Sequence, residues 1–196
     1  MSRLLESIRC ENRALQNISY HNQRLNQARK QLFGAEDTWD LAALISIPIE
    51  LSTKLYKCRV LYAQEIGKIE FQPYQAHPPK TLQLVYGYET DYSFKWENRQ
   101  TLEELEQQKG SADDILIVRN GLITDTSYCN IVLFDGQQWF TPAPPLLQGT
   151  QRACLLAEGK IQEAEIRVID LPHFKEIRLI NAMLRFEEAW RVEIIP

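Results

Sequence analysis

Lys95 stands in the run Tyr92-Ser93-Phe94-Lys95-Trp96, where three aromatic residues make its surroundings apolar. Loss of water lowers a lysine pKa toward the neutral, nucleophilic amine. Further on, Asp125 follows the turn signal Asn120-Gly121, and Asn130 closes the run "DTSYCN" that Asp125 opens. Gly149-Thr150-Gln151-Arg152 then reads as a helix start, whose open N–H groups and dipole attract an anion. Singly, each feature has an ordinary explanation: a solvated lysine, a hairpin aspartate bonded to nearby backbone, a helix that follows a glycine. Together they meet the needs of pyridoxal 5'-phosphate. A lysine condenses with its aldehyde, an acid keeps its ring nitrogen protonated, and an anion site holds its phosphate.

The elements that carry these residues are predicted as follows. An amphipathic helix covers "ISYHNQRLNQARKQLF", with Leu25, Ala28 and Leu32 on one face and Ser19 as its cap. A short helix begins at Asp37 and must stop before Pro48. The runs "KCRVLYA", "KIEFQPY" and "LQLVYGY" have the β-branched and aromatic content of strands. "QTLEELEQQKG" reads as a helix with Thr101 and Glu104 as capping box and Gly110 as stop. Two hairpins turn at Asn120-Gly121 and Asp135-Gly136. "GTQRACLLAEG" is a short helix, "EIRVIDL", "EIRLINAML" and "WRVEII" are strands, and a helical turn lies near "PHFKE". The expectation is an α+β chain in two lobes, residues 1–90 and 91–196, joined near "ETDYS", with the lysine on the second.

Composition narrows the function. Of the 196 residues, 44% are hydrophobic and 24% charged, ordinary for a globular chain. Lys and Arg total 22 against 26 acidic residues, so the basic excess of a nucleic-acid binder is missing. The three histidines lie far apart and the four cysteines lack C-x-x-C spacing; neither a metal site nor a disulfide framework is indicated, and free, mostly buried thiols are expected. No apolar run approaches a membrane span and the start lacks a signal-peptide pattern, so a cytoplasmic chain without a membrane partner is expected.

The carboxyl-terminal half resembles the class IV aminotransferases, the fold-type IV pyridoxal-phosphate enzymes. The family pattern of an acid, four residues and an asparagine, then Thr-Pro and a Gly-x-x-Arg helix start, stands here as "DTSYCN", "FTP" and "GTQR". Near the amino terminus, "LLESIRC" is similar to the family's "FETIR" strand, and "HNQRL" to its His-x-x-Arg-Leu helix. The resemblance implies the two-lobed architecture of the D-amino-acid aminotransferase kind, with a truncated N-terminal lobe because the chain begins at that strand. It implies Lys95 as the catalytic, cofactor-bearing lysine and Asp125 as the ring-nitrogen acid. Arg24, Asn130, Thr150, Gln151, Asn181 and Ala182 would be further cofactor contacts, Arg24 and the helix start serving the phosphate.

Within the family the resemblance implies a lyase acting on 4-amino-4-deoxychorismate, with release of pyruvate and formation of 4-aminobenzoate. A class IV aminotransferase acting on a small amino acid needs the same lysine, acid and phosphate site, and a non-catalytic relative with an interaction role is the alternative from a different class. An amino substrate bearing carboxylates needs cations, and Arg9, Arg59 and Arg99 are the candidates. A homodimer is implied by the resemblance. Two departures bear on chemistry. The acid is an aspartate where the family usually has glutamate, one methylene longer, and Gln100 stands where aminotransferases tend to have tyrosine, which leans away from branched-chain transamination.

Overall fold

The computed structural model describes residues 3–87 and 92–195; of the expected linker "ETDYS", residues 89–91 lie outside the described residues. The chain divides into two compact units. One holds Met1–Ala76 with Phe94–Asn98, the other His77–Ser93 with Arg99–Pro196. Lys95, expected on the second lobe, thus groups with the first unit, and the chain crosses between units three times where a single crossing near residue 90 was expected.

In the first unit, β1 (Leu4–Glu11) lies between β2 (Ala14–Leu15) and β3 (Tyr56–Tyr62), and β4 (Ile66–Pro73) completes an antiparallel sheet of order β2-β1-β3-β4. Helix α1 (Ile18–Phe33) packs Leu25 and Ala28 into a core with Leu4, Ile8, Cys10, Cys58 and Val60. Its cap is Asn17 in the left-handed conformation, and exposed Ser19 lies inside the helix. The second helix, α2, is shorter than predicted, Leu41–Leu44. Asp40 caps it by accepting from the Ala42 amide at 3.0 Å, while Asp37 is drawn away by Arg29 at 2.8 Å. Arg29 also stacks on the Trp39 ring, so this loop is tied to α1 by a buried cation.

The second unit is built on an eight-stranded mixed sheet of order β10-β9-β8-β11-β12-β5-β6-β7. It comprises β5 (Thr81–Tyr86), β6 (Asp114–Arg119), β7 (Leu122–Thr126), β8 (Asn130–Phe134), β9 (Trp139–Pro142), β10 (Gln162–Ala164), β11 (Glu176–Ile180) and β12 (Trp190–Ile195). β5, read from sequence as part of the first lobe, pairs in parallel with both β6 and β12. Local composition announces a strand without naming its neighbours, which explains the misplaced boundary. Asn120 and Gly121 both have positive φ, 52° and 79°, as the tight β6–β7 turn requires.

Helix α3 (Gln100–Glu106) begins at Arg99 with no side-chain cap, so the predicted Thr101/Glu104 box does not form; Gln100 donates to Glu104 instead. Helix α4 (Thr150–Ala157) follows Gly149 as expected and packs Leu155 against Val132, Ile161 and Ile180. The predicted strand "EIRVIDL" is largely a 3-10 helix over Val168–His173, closed by Asp170 accepting from the Arg167 amide. A mixed α+β chain of the fold-type IV kind is the result.

Candidate active site

In the first unit the side chains meet around a carboxylate. Alternation along β1 sends Glu6 to the same side as Leu4 and Ile8, beneath α1, where it is fully buried. Arg24 donates its Nε to Glu6 Oε1 at 2.9 Å and its Nη2 to Oε2 at 2.5 Å, and His21 Nδ1 lies 2.6 Å from the same Oε2. Residues three apart on a helix face one way, so both reach the one acid. Burial alone would raise the Glu6 pKa, but Arg24 and His21 outweigh it and hold the carboxyl at about 2. His21 is pushed below its ordinary value, chiefly by burial.

Lys95 borders this group. Its carbonyl accepts from the Leu5 amide at 2.9 Å, Leu4 pairs with Trp96, and the Trp96 amide closes a tight turn onto the Phe94 carbonyl. Phe94 and Trp96 pack edge to face with each other and lie against the first core, and Lys95 between them is half-buried, its charge felt by His21.

The second unit assembles the acid. Asp125, near the end of β7, is 4% exposed. Its Oδ1 accepts from Asn130 Nδ2 and its Oδ2 from the Leu147 amide, both at 2.8 Å. The same Asn130 nitrogen donates to the Leu147 carbonyl at 2.9 Å, so β7, β8 and the loop before α4 are locked together. Burial raises the Asp125 pKa to about 6 against the lowering effect of these bonds and of Arg152.

Gly149 is required by space. A Cβ there would lie 1.8 Å from Asn130 Oδ1. The turn into α4 therefore runs directly over the asparagine, with no side-chain cap on the helix and with Thr150 and Gln151 buried. Arg152 faces away into its own support, bonded to Gln148 at 3.1 Å, to the Pro142 carbonyl at 2.9 Å and to Glu163 at 2.5 Å. The register Ile180↔Asn130 brings Asn181 beside the end of β8, where its Nδ2 reaches Cys129 Sγ at 3.2 Å and its Oδ1 accepts from the Met183 amide. Half-buried Ala182 follows.

Of the sequence candidates, Asp125, Asn130, Thr150, Gln151 and Asn181 thus gather in the second unit, and Arg24 and Lys95 border Glu6 and His21 in the first. Arg9 and Arg59 lie on β1 and β3. Arg99 belongs to the second unit, where it donates to the Ser127 carbonyl at 2.7 Å. Sequence reasoning missed Glu6, His21 and Leu147 as supports. A glutamate between apolar Leu4 and Ile8 was a visible signal for the first; Leu147 acts through its backbone and left none.

The residues fit pyridoxal phosphate. Asp125 is a buried carboxylate with no ion pair among the described residues, the type of group that suits a protonated pyridine nitrogen. In the first unit, taken by itself, Lys95 carries an amine of the kind the cofactor's aldehyde needs. Among the described residues no cluster of acids, histidines and cysteines could hold a metal, and no helix is long and apolar enough to cross a membrane. Cys10, Cys58 and Cys129 are buried free thiols and Cys154 is half-buried.

Comparison with known proteins identifies the family. The amino-transferase class IV family matches residues 93–187. An uncharacterized protein of Haemophilus influenzae is 39% identical over 182 residues, 92% of this chain and 97% of its own. A crystal structure from Haemophilus somnus 129pt, provisionally named a 4-amino-4-deoxychorismate lyase, is 37% identical with a TM-score of 0.85, covering 93% of this chain and 97% of its own. The PLP-bound form of a hypothetical aminotransferase from Mycobacterium tuberculosis shares the fold at 18% identity, with a TM-score of 0.74 over 98% of this chain and 80% of its own. This chain belongs to the class IV aminotransferase family.

Proposed function

We propose that the chain is a pyridoxal-phosphate-dependent lyase that converts 4-amino-4-deoxychorismate into pyruvate and 4-aminobenzoate. The observation that carries the cofactor part of this reading is Asp125, a buried acid of raised pKa held by Asn130 and Leu147 with no cation paired to it among the described residues. Such a group gains its counter-ion from a protonated ring nitrogen. The likeness to the Haemophilus somnus structure supports the choice of substrate.

When bound, pyridoxal phosphate supplies an electron-withdrawing ring that acidifies the carbon bearing the substrate's amine. Lys95 is the residue proposed to hold the cofactor, and its freed amine would take the proton from that carbon and return one to the departing pyruvate. Asp125 would keep the ring nitrogen charged. In the second unit the uncapped α4 start, with Thr150 and Gln151, offers N–H groups suited to a phosphate, and Asn181 and Ala182 stand beside the same strand ends. In the first unit Arg24 is the proposed phosphate cation, with Glu6 fixing two of its nitrogens. A homodimer and a cytoplasmic location belong to the same reading, and sedimentation of the purified protein tests the first.

The test is pyruvate release from 4-amino-4-deoxychorismate by the cofactor-loaded protein, with and without a 2-oxo acid. Pyruvate formed without the acceptor supports the lyase, and dependence on the acceptor assigns a transaminase. Failure of borohydride to trap the cofactor on Lys95 would remove the catalytic reading and leave the non-catalytic relative.

A further inference from the structure

We propose that Arg99 is a positioning residue for the cofactor acid: by holding the Ser127 carbonyl it fixes the turn at residues 126–129 and, through that turn, the grip of Asn130 on Asp125. The inference rests on the role proposed above for Asp125 toward the ring nitrogen. It places Arg99 in the support of the acid and not on a substrate carboxylate.

Asp125 and Asn130 are bonded side chain to side chain at 2.8 Å, and four residues join them. The spacing of the pair is therefore set by the shape of that short connection. Inside it the Thr126 amide donates to the Cys129 carbonyl at 2.9 Å, and the Thr126 hydroxyl oxygen accepts from the Cys129 amide at 3.1 Å. Asn181 reaches the Cys129 sulfur at 3.2 Å, and the hydroxyls of Thr126 and Ser127 neighbour the buried carboxyl of Asp114. The Ser127 carbonyl takes no part in these bonds. It is met by Arg99 Nη2 at 2.7 Å, from the start of α3.

Both ends of this bond are fixed. Ser127 is 3% exposed, so water is a poor substitute for the arginine, and a buried acceptor that loses its donor is costly. Arg99 is half-buried, and its own carbonyl accepts from the Glu103 amide at 2.9 Å, which ties its backbone into the first turn of α3. Leu102 in the same turn is buried, so the helix start is a firm base. A charged donor makes the bond to Ser127 short and strong. Burial raises the Asp125 pKa, and the groups that lower it include Asn130, the Leu147 amide and Arg152. Arg99 thus acts on the acid through the turn, by keeping Asn130 in place, as a side chain behind a functional group holds its aim.

The experiment follows the Asp125 carboxyl by isotope-edited NMR in the full chain without cofactor, through its titration near pH 6. Binding of pyridoxal phosphate is measured over the same range. In Arg99→Met the titration should move up by roughly half a pH unit, and cofactor affinity near the midpoint should fall about threefold. Arg99→Lys keeps a charged donor and should return both toward the values of the unaltered protein. Where Arg99→Met does not fold, Arg99→Gln, a neutral donor on a shorter stem, carries the same test with an upward shift again expected. Affinity for 4-aminobenzoate, the proposed product, reads a substrate role.

An Asp125 titration that stays in place in Arg99→Met overturns the proposal. If the urea midpoint falls while that titration is unchanged, Arg99 is a structural residue only. Loss of 4-aminobenzoate binding with an unchanged titration assigns the guanidinium to the substrate and overturns the positioning role. The NMR shift is read without cofactor, so failure of the borohydride adduct on Lys95 removes the proposed function and leaves the tie between Arg99 and Asp125 standing.

Discussion

The side-chain nitrogen of Asn130 lies 2.8 Å from Oδ1 of Asp125, and the same nitrogen donates to the Leu147 carbonyl. The asparagine of the "DTSYCN" run is therefore a support for the acid, and with the Leu147 amide it helps to hold both the charge and the aim of the carboxylate.

Removing that support should raise the Asp125 pKa above about 6, because the Asn130 bond opposes the effect of burial. Holding a protonated ring nitrogen needs the ionised acid, so cofactor affinity should fall as pH drops through about 6. In Asn130→Ala the midpoint should move up by roughly one pH unit, with a stability loss of about 2 kcal/mol from the lost charged hydrogen bond. Fluorescence titration with pyridoxal phosphate from pH 5 to 8 reads the midpoint; a profile identical to that of the unaltered protein contradicts the assignment.

Gly149→Ala places a Cβ 1.8 Å from Asn130 Oδ1, and one of the two must move. Overpacking of this kind costs about 1–3 kcal/mol. The double substitution Gly149→Ala with Asn130→Ala should cost less than the sum of the single ones, since the clash disappears with the asparagine. Urea denaturation of the four proteins gives the cycle.

Glu6 couples stability to acid. Its folded pKa, about 2, lies below the ordinary glutamate value of 4.5, so between these values the unfolded chain binds more protons and stability rises with pH. The contribution is complete above pH 4.5, is lost as pH falls through about 2, and is on the order of 3 kcal/mol. His21, lowered by burial, acts in the same direction below its ordinary value of 6.5. Urea midpoints should fall from pH 7 to 5 to 3. Glu6→Gln should flatten the most acidic part of that slope and cost about 3 kcal/mol at pH 7 by leaving half-buried Arg24 without its acid.

Lys95→Ala should abolish cofactor absorbance and the borohydride adduct and lower turnover by at least roughly a hundredfold, the lower range for a positioned acid–base group. The fold should persist, because the contact with Leu5 is made by the main-chain carbonyl. An unchanged adduct on another lysine would show that the attachment site lies elsewhere.

Elements governed by local rules were legible. The left-handed pair Asn120-Gly121 needs no partner to make a turn, α1 declares itself by Leu25 and Ala28, and α4 begins where Gly149 said it would. Local rules misled where a distant group competed. Asp37 reads as a cap until Arg29 claims it, and "EIRVIDL" reads as a strand until Asp170 folds back on the Arg167 amide.

The residue types of the site and their order along the chain were determined by the sequence alone, because a lysine, an acid and a glycine-led helix start are chemical identities that no folding is needed to see. Tertiary structure decided how they are held. Whether Glu6 is buried under α1, which strands β5 joins, and that the Leu147 amide completes the grip on Asp125 depend on groups far apart in the chain. Burial and main-chain hydrogen bonds exist only once those groups meet, and every residue but proline carries the same N–H and C=O, so no local pattern marks them in advance.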